Sequence, residues 1–320
     1  MSILRSIVWM LPVGTMVFGA SVVSGQNYPT KSVRILTNPV GGGNDFSARL
    51  IAQELASVLG QPVIVDNRPA GVIQGEIVSK AAPDGYTLLL AGANFWVGTL
   101  LQKTPYDPVK DFAPITLTTS SPNILVVHPS VAATSVKELI ALAKAKPGTL
   151  NYASTSAGSS SHFAGELLKS MAGINMVRVP YKGGGPAIVA LMGGEVQVAF
   201  PTIGAATPNL KSGKLRALAV TSAQRSALVP DLPTIAASGV PGYDLDSADA
   251  VFAPVKTPAA IINRLSQEIV RIVNKPEVKE KYLNTGSDVV GSTPQQLSAK
   301  MKAELAALGR VVKEAGIRVE

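Results

Sequence analysis

A strand, a glycine turn and a helix follow one another between residues 33 and 59, and this succession restricts the fold more than any other stretch. Residues 33–37 (VRILT) form a β-branched run that is typical of a strand. Pro39 ends it, because proline cannot donate a ladder hydrogen bond. Three glycines at residues 41–43 then permit a sharp turn. From residue 45 the apolar residues recur at helical spacing, and Gly60 is predicted to end the helix.

The glycine turn is a candidate anion site, because it lies where the helix begins. The first N–H groups of a helix have no partner within the helix, and the helix dipole adds partial positive charge there. Carboxylates and phosphates commonly bind at such a point. A glycine turn that serves only tight packing is the alternative. The dinucleotide fingerprint G-x-G-x-x-G is incomplete, because Phe46 replaces its third glycine. Asp66, which ends the next predicted strand, nevertheless keeps a ribose-binding interpretation open.

Composition narrows the chemistry that is available. The chain has 320 residues, which is enough for two domains. It contains no cysteine and two histidines, so we expect neither disulfides nor a histidine- or cysteine-rich metal site. The net charge of +8 is dispersed, and no basic block with interleaved aromatic residues occurs, so we expect no nucleic-acid partner. A positive field that attracts small anions is the better interpretation.

The amino terminus has the pattern of a secretory signal peptide. Arg5 precedes an apolar run over residues 7–20, and small residues follow at Ser24 and Gly25. The run is short for a membrane span, which needs about 20 residues, although an uncleaved anchor is the alternative. We therefore predict that residues 1–25 are a signal peptide and that the mature chain is exported.

Strands and helices alternate after residue 60, which predicts a parallel sheet with helices on both faces. Residues 150–171 then repeat the opening pattern with a strand, a Ser/Gly turn and a helix. Two such turns, one in each lobe, would face each other across a cleft. Two later helices, predicted to begin near Pro258 and Pro294, belong with the first lobe if the chain crosses twice, as in clamshell binding proteins.

The second turn also invites a hydrolase interpretation. Gly158-x-Ser160-x-His162 approaches the nucleophile elbow G-x-S-x-G but ends in histidine. A triad would need His128, which precedes a proline at the end of a predicted strand. Serines at the start of a helix more often cap it or bind a ligand, and both of these interpretations stay open.

Motifs distributed along the whole mature chain match a known family in order. They are Tyr28-Pro29-x-Lys31, Gly41-Gly42-x-x-Asp45-x-x-Ala48-Arg49, Asn67-Arg68-Pro69, Ala81-Ala82-Pro83-Asp84-Gly85-Tyr86-Thr87, Asn151-Tyr152-Ala153-Ser154, His162-x-Ala164-Gly165-Glu166-Leu167, Pro180-Tyr181-Lys182-Gly183 and Gly213-Lys214-Leu215-Arg216-Ala217-Leu218-Ala219-Val220-Thr221-Ser222. Together they resemble the Bug family, the extracytoplasmic solute receptors of tripartite tricarboxylate transporters.

The resemblance implies an α/β, two-lobed periplasmic binding protein of type II (Venus flytrap), with a parallel-type sheet and flanking helices in each lobe. Residues 26–124 and 247–320 would form the first lobe, and residues 125–246 the second. Such a protein is periplasmic, is not an enzyme, needs no cofactor, and acts as a monomer. It closes on a small organic carboxylate and delivers it to membrane transporter subunits.

The resemblance also implies a ligand site. In the family the ligand carboxylate lies against the first glycine loop and the Ser/Thr-Gly loop of the second lobe, partly through ordered water. Carried onto this sequence, the predicted ligand-binding residues are Gly41, Gly42, Asn44, Asp45, Gly92, Asn94, Ser154, Thr155, Gly158, Ser159, Ser160, Tyr181 and Thr202.

This chain departs from the family pattern at several positions. Val40 and Gly43 replace the commoner residues of the first loop, and Pro201 stands where many members carry aspartate. Residues 247–250 (SADA) replace the usual aromatic stretch. These changes affect how the receptor would recognise the non-carboxylate end of the ligand. The resemblance therefore does not carry over a site for an amino group. The alternatives are an exported Rossmann-like oxidoreductase, a serine hydrolase, or a ligand-sensing module for a membrane kinase.

Overall fold

The computed structural model describes residues 28–68, 72–155 and 157–317. The predicted signal peptide of residues 1–25 lies outside these ranges. The strands are β1 (Val33–Thr37), β2 (Val63–Asn67), β3 (Thr87–Gly92), β4 (Phe112–Pro122), β5 (Ile124–Val127), β6 (Asn151–Ser154), β7 (Val177–Pro180), β8 (Val198–Ala199), β9 (Arg216–Val220), β10 (Asp246–Pro254) and β11 (Asp288–Val289). The helices are α1 (Gly43–Leu59), α2 (Ile73–Ser79), α3 (Asn94–Val97), α4 (Val136–Ala145), α5 (Ser160–Ala172), α6 (Gly184–Met192), α7 (Ile203–Lys211), α8 (Ala259–Val273), α9 (Pro276–Asn284) and α10 (Pro294–Ala315).

The strands form two sheets, which confirms the predicted two-lobed α/β architecture. The first sheet has the order β11-β4-β10-β3-β1-β2, and the second has the order β7-β6-β8-β5-β9. In each sheet three strands are parallel, β2-β1-β3 in the first and β7-β6-β8 in the second. The remaining strands pair antiparallel. Each lobe thus has a parallel part flanked by antiparallel strands.

The opening segment folds as its sequence predicts. Helix α1 begins two residues earlier than the predicted Asp45, and Gly60 closes it in the left-handed conformation with φ 66°. Leu50, Ile51 and Leu55 bury one face of this helix against the first sheet. The buried face fixes how the helix lies on the sheet, and this orientation sets where its amino terminus points.

Several elements differ from the sequence prediction. Strand β10 was not predicted. The three prolines within residues 104–114 predict a loop, but β4 extends into this stretch from Phe112. Pro276 in the sequence predicts the end of the helix that begins near Pro258; this helix ends at Val273, and Pro276 opens the next one, α9. Proline suits the first helical turn because the N–H that it lacks would have no partner there. Strands β4 and β10 pair with each other, so their stability depends on contacts distant in sequence.

The chain passes from the first sheet to the second at Asn123. Strand β4 ends one residue before Asn123, and β5 begins one residue after it. The Asn123 backbone N–H donates to Thr221 Oγ1 at 2.9 Å, and its Nδ2 donates to the Phe200 carbonyl at 2.6 Å. The same Nδ2 lies 3.4 Å from Ser160 Oγ. Asn123 is therefore held by the second lobe.

One apolar cluster joins the lobes behind the crossing. It contains Trp96 and Phe252 from the first lobe, Tyr152 and Phe163 from the second, and Leu297 of α10. Helix α10 contacts both β4 and α5. The two lobes consequently share part of their core, with α10 lying across both. Within the described ranges, no helix combines the length and the apolar character needed to cross a membrane.

A buried ionic cluster lies beside this shared core. Lys300 Nζ lies 2.8 Å from Asp244 Oδ2, 3.1 Å from Asp246 Oδ1 and 2.8 Å from Glu304 Oε1. The indole Nε1 of Trp96 donates to the second carboxylate oxygen of Glu304 at 2.6 Å. Because Asp246 begins β10, this cluster fixes the point at which the chain returns to the first sheet.

Candidate ligand-binding site

A cavity of about 1110 Å³ opens between the two lobes. Its first-lobe wall includes the glycine loop of residues 41–43, and its second-lobe wall includes residues 157–160. The residues predicted for the site that line it are Gly41, Gly42, Asn44, Gly92, Asn94, Gly158, Ser159 and Ser160. The two turns identified in the sequence therefore face one shared cavity, as the repeated pattern predicted.

The first turn is held by Asp45, whose side chain is buried. Its Oδ2 accepts the Gly41 N–H at 2.9 Å, and its Oδ1 accepts from Asn67 Nδ2 at 2.8 Å. Arg49 Nε lies 2.9 Å from the same Oδ1. The Gly41 hydrogen bond, with those from Asn67 and Arg49, lowers the pKa of Asp45. Asp45 does not line the cavity, so it shapes the glycine loop from behind.

The start of α1 presents backbone donors to the cavity. Its N-cap is Gly42, which has no side chain to accept the N–H groups of the first turn. Gly41 adopts φ 89°, a conformation that favours glycine. Gly42, Gly43 and Asn44 all line the cavity. The loop thus leaves the positive end of a 17-residue helix open to a ligand.

The second turn is organised by His162 and Ser159. Ser159 is the N-cap of α5, and its Oγ accepts the His162 N–H at 3.2 Å. His162 Nδ1 in turn accepts the Gly158 N–H at 3.1 Å. Burial, together with the nearby Arg178 charge, lowers the pKa of His162 to about 4. The ring is therefore neutral at pH 7 and carries its proton on Nε2.

Ser154 and Thr155 brace this turn, and neither lines the cavity. Arg178 Nε donates to Ser154 Oγ at 2.7 Å, and its guanidinium also donates to the Thr155 carbonyl at 3.0 Å. The Thr155 N–H donates to Ser161 Oγ at 3.1 Å. These contacts tie the end of β6 to the start of α5.

Tyr181 and Thr202 also lie outside the cavity lining. Tyr181 follows β7, which is the edge strand of the second sheet, and packs against an apolar cluster of that lobe. Thr202 is the N-cap of α7 and pairs with Asn123 in an isolated β-bridge. Both positions adjoin the second turn without lining the cavity, since the Tyr181 N–H donates to the Ser154 carbonyl at 2.9 Å and Asn123 lies between Thr202 and Ser160.

Sequence reasoning predicted Asn44 but missed the other polar side chains that form a hydrogen-bonded chain with it along the first-lobe wall. Gln74 Nε2 donates to Asn38 Oδ1 at 2.8 Å, and Asn38 Nδ2 donates to Asn44 Oδ1. Asn44 Nδ2 then donates to Asp249 Oδ1 at 2.6 Å, while Ser47 Oγ donates to Asp249 Oδ2 at 2.6 Å. Asn44 and Ser47 share one face of α1 through their three-residue spacing, which was the available signal. The chain of hydrogen bonds ends at Asp249.

Neutral groups dominate the lining. Among the described residues that line the cavity, Asp249 is the only one with a formal charge at neutral pH. An anion in this cavity would therefore be held by backbone N–H groups, hydroxyls and amides. The described residues contain no group of three or more His, Asp and Glu side chains arranged to hold a metal ion.

The contacts of the histidines bear on the hydrolase alternative. The Gly158 N–H occupies His162 Nδ1, so this nitrogen does not accept a proton from Ser160. His128 Nδ1 lies 2.7 Å from Ser130 Oγ, and His128 does not line the cavity. The stretch from Gly158 to His162 forms a capped helix start.

Residues 47–317 match the family model described as "Tripartite tricarboxylate transporter family receptor". The chain belongs to this receptor family. Protein BugT of Bordetella pertussis is 36% identical over 307 residues, which cover 94% of each chain. This receptor and BugT thus correspond along almost their whole lengths, as the sequence motifs indicated.

Two solved structures of similar proteins are complexes with carboxylates. The Rpa4515 protein of R. palustris with adipate is 35% identical to this receptor, with a TM-score of 0.65 and coverage of 91% of this chain and 99% of that one. MatC (Rpa3494) of Rhodopseudomonas palustris with bound malate is 30% identical, with a TM-score of 0.62 and coverage of 89% and 100%. The family and the two-lobed fold are thus established for this chain.

Proposed function

We propose that this receptor captures a small organic carboxylate in the cavity between its lobes and delivers it to the membrane subunits of a tripartite tricarboxylate-type transporter. The observation that carries the proposal is that α1 and α5 both begin at the same cavity. A carboxylate between them would accept backbone N–H groups from both lobes and lie at the positive end of both helix dipoles. The relatives with adipate and malate support this ligand class.

Ligand capture would proceed by closure of the two lobes. The donors facing the cavity belong to different lobes, so a ligand that contacts both sets favours the closed arrangement. Closure also removes water from the carboxylate and strengthens the hydrogen bonds that replace it. Of the predicted residues, those lining the cavity would contact the ligand, whereas Asp45, Ser154 and Thr155 would hold the turns in shape.

The cellular context is part of the proposal. Residues 1–25 would direct export to the periplasm, and the mature chain would act as a monomer. The lobes would divide at residues 124/125 and 246/247. The change of sheet at Asn123 and the start of β10 at Asp246 support divisions close to these positions. Co-purification with transporter subunits would support the transport role, whereas co-purification with a membrane kinase would support sensing.

Calorimetric titration of the mature protein with mono-, di- and tricarboxylates tests the proposal. Ser159→Ala and Ser135→Ala form a matched pair, since each removes an N-cap, but only Ser159 lines the cavity. Each should lose about 1 kcal/mol of stability. Only Ser159→Ala should weaken binding. Asp45→Ala should also weaken binding, because the glycine loop loses its anchor.

Three results would count against this function. The first is that no carboxylate binds the wild-type protein. The second is that Ser159→Ala and Asp45→Ala both retain the full affinity. The third is that Ser135→Ala lowers the affinity as much as Ser159→Ala, which would indicate a general effect of lost stability.

A further inference from the structure

Asp249 places an uncompensated negative charge in the wall of the cavity. It lies on β10, opposite Gly92 on β3 and Thr119 on β4. Its side chain is partly buried and lines the cavity. Among the described residues, no Lys, Arg or His lies within ion-pair distance of its carboxylate. The charge is therefore not balanced by the surrounding protein.

The carboxylate is nevertheless held in a fixed position. Asn44 Nδ2 donates to one oxygen and Ser47 Oγ donates to the other, both at 2.6 Å. A carboxylate has about four acceptor sites, so these two donors leave acceptor capacity on both oxygens. Gly92 lies opposite, and a Cβ there would lie 3.5 Å from Asn44 Nδ2. The backbone therefore comes close to the pair formed by Asn44 and Asp249.

A buried charge without a partner is costly, and the molecule has two ways to reduce the cost. The carboxyl can take up a proton, and burial does raise the pKa of Asp249. Alternatively, the ligand can supply the missing positive charge. A second carboxylate of a ligand would increase the cost, whereas an ammonium group would form charge-assisted hydrogen bonds with the free acceptor sites.

We propose that the ligand is an amino-carboxylate whose ammonium group binds Asp249, while its carboxylate binds at the starts of α1 and α5. This inference rests on the proposed function, because it assigns the second end of the same ligand. Asp249 is then the residue that selects amino-carboxylates over simple acids and diacids. The neutral lining of the rest of the cavity is consistent with a ligand that has no net charge.

Pairs of probes that differ in one group test the assignment in the wild-type protein. L-glutamate is compared with glutarate, L-leucine with 4-methylpentanoate, and 6-aminohexanoate with adipate, each by calorimetric titration at pH 7.5. We expect at least one amino-carboxylate to bind about tenfold or more tightly than its partner. Tighter or equal binding of the simple acid or diacid in every pair would overturn the inference and leave the proposed function intact.

A charge-neutral variant supplies the second readout. Asp249→Asn keeps the size of the side chain and removes the charge. We expect the affinity for the amino-carboxylate to fall about tenfold or more, and the affinity for the matching simple acid or diacid not to fall. Asp231→Asn is the matched control, since Asp231 is exposed and lies outside the cavity lining. If Asp249→Asn lowers the affinity equally for both probes of a pair, the assignment is contradicted. If the variant fails to fold, the comparison of the probe pairs in the wild-type protein still tests the assignment.

The two proposals fail in different ways. If the wild-type protein binds diacids and no amino-carboxylate, the assignment of Asp249 is wrong and the carboxylate function stands. If it binds neither class, both the proposed function and this inference are overturned.

Discussion

Replacing Lys300 by methionine should strongly destabilise the protein at alkaline pH. Lys300 Nζ contacts three carboxylates at 2.8–3.1 Å, and its side chain is only 14% exposed. Asp246 and Glu304 are each only 4% exposed, so water cannot replace the lost ammonium group there. The variant keeps an unbranched side chain that is one atom shorter, but it leaves these acids without their counter-charge.

The magnitude follows from the burial of the partners. Removing one member of a buried ion pair costs about 3–5 kcal/mol, because the charge that remains is uncompensated. In chains of this general size each kcal/mol shifts Tm by about 2–4 °C. We therefore expect Tm to fall by roughly 6–20 °C at pH 8. The loss should be smaller at pH 5.5, because burial already raises the pKa of Glu304 to about 7 and a protonated Glu304 needs no counter-charge.

Urea unfolding at pH 8 and at pH 5.5 measures this effect. Lys302→Met is the control, since Lys302 lies on the same helix and is exposed. A loss in Lys300→Met that equals the loss in Lys302→Met would refute the reasoning, and so would an equal loss at the two pH values. In the second case the side chain would stabilise the protein through packing rather than through charge.

Three further predictions concern single side chains. In the wild-type protein, the raised pKa of Glu304 should make the unfolding free energy fall as the pH rises from about 4.5 to 7. Glu304→Gln should remove this fall, and urea unfolding at several pH values would measure it. Nitrogen-15 NMR should show a neutral His162 protonated on Nε2 from pH 5.5 to 8, and its contribution to stability should be lost only as the pH falls from about 6.5 towards 4. Gly158→Ala should destabilise the protein by about 1–3 kcal/mol in thermal unfolding, since φ is 74° and the new Cβ would lie 2.4 Å from Leu101 Cδ1. A Gly173→Ala control, at φ 61° with open space around it, separates the backbone strain from the clash with Leu101.

The parts of the site that the sequence predicted are those built from local signals. The strand, glycine turn and helix of residues 33–59 depend on spacing and on glycine conformation, and the structure confirms them. The serines at the start of the second helix were expected either to cap it or to bind a ligand, and in the structure Ser159 caps it. Both turns line one cavity because each follows a parallel strand in its own sheet.

The parts that the sequence did not predict depend on distant pairs. Asn44 and Asp249 are 205 positions apart, and Trp96 and Glu304 are 208 apart. No periodicity links such residues. The pairing of β3 with β10 brings Asp249 to Asn44, and the packing of α10 against α3 brings Glu304 to Trp96. The only sequence signal for Asp249 was that residues 247–250 replace the aromatic stretch that is usual in the family.

The crossing at Asn123 has a consequence for how the molecule moves. Thr221 and Phe200 hold Asn123 to the second lobe, so a rotation of that lobe would change the backbone angles at the Pro122–Asn123 junction and at the second crossing near Asp246. Its side-chain amide also reaches Ser160 in the cavity wall. A rotation of the second lobe would therefore move Asn123 and Ser160 together, and opening of the cleft would displace a hydroxyl that lines the cavity.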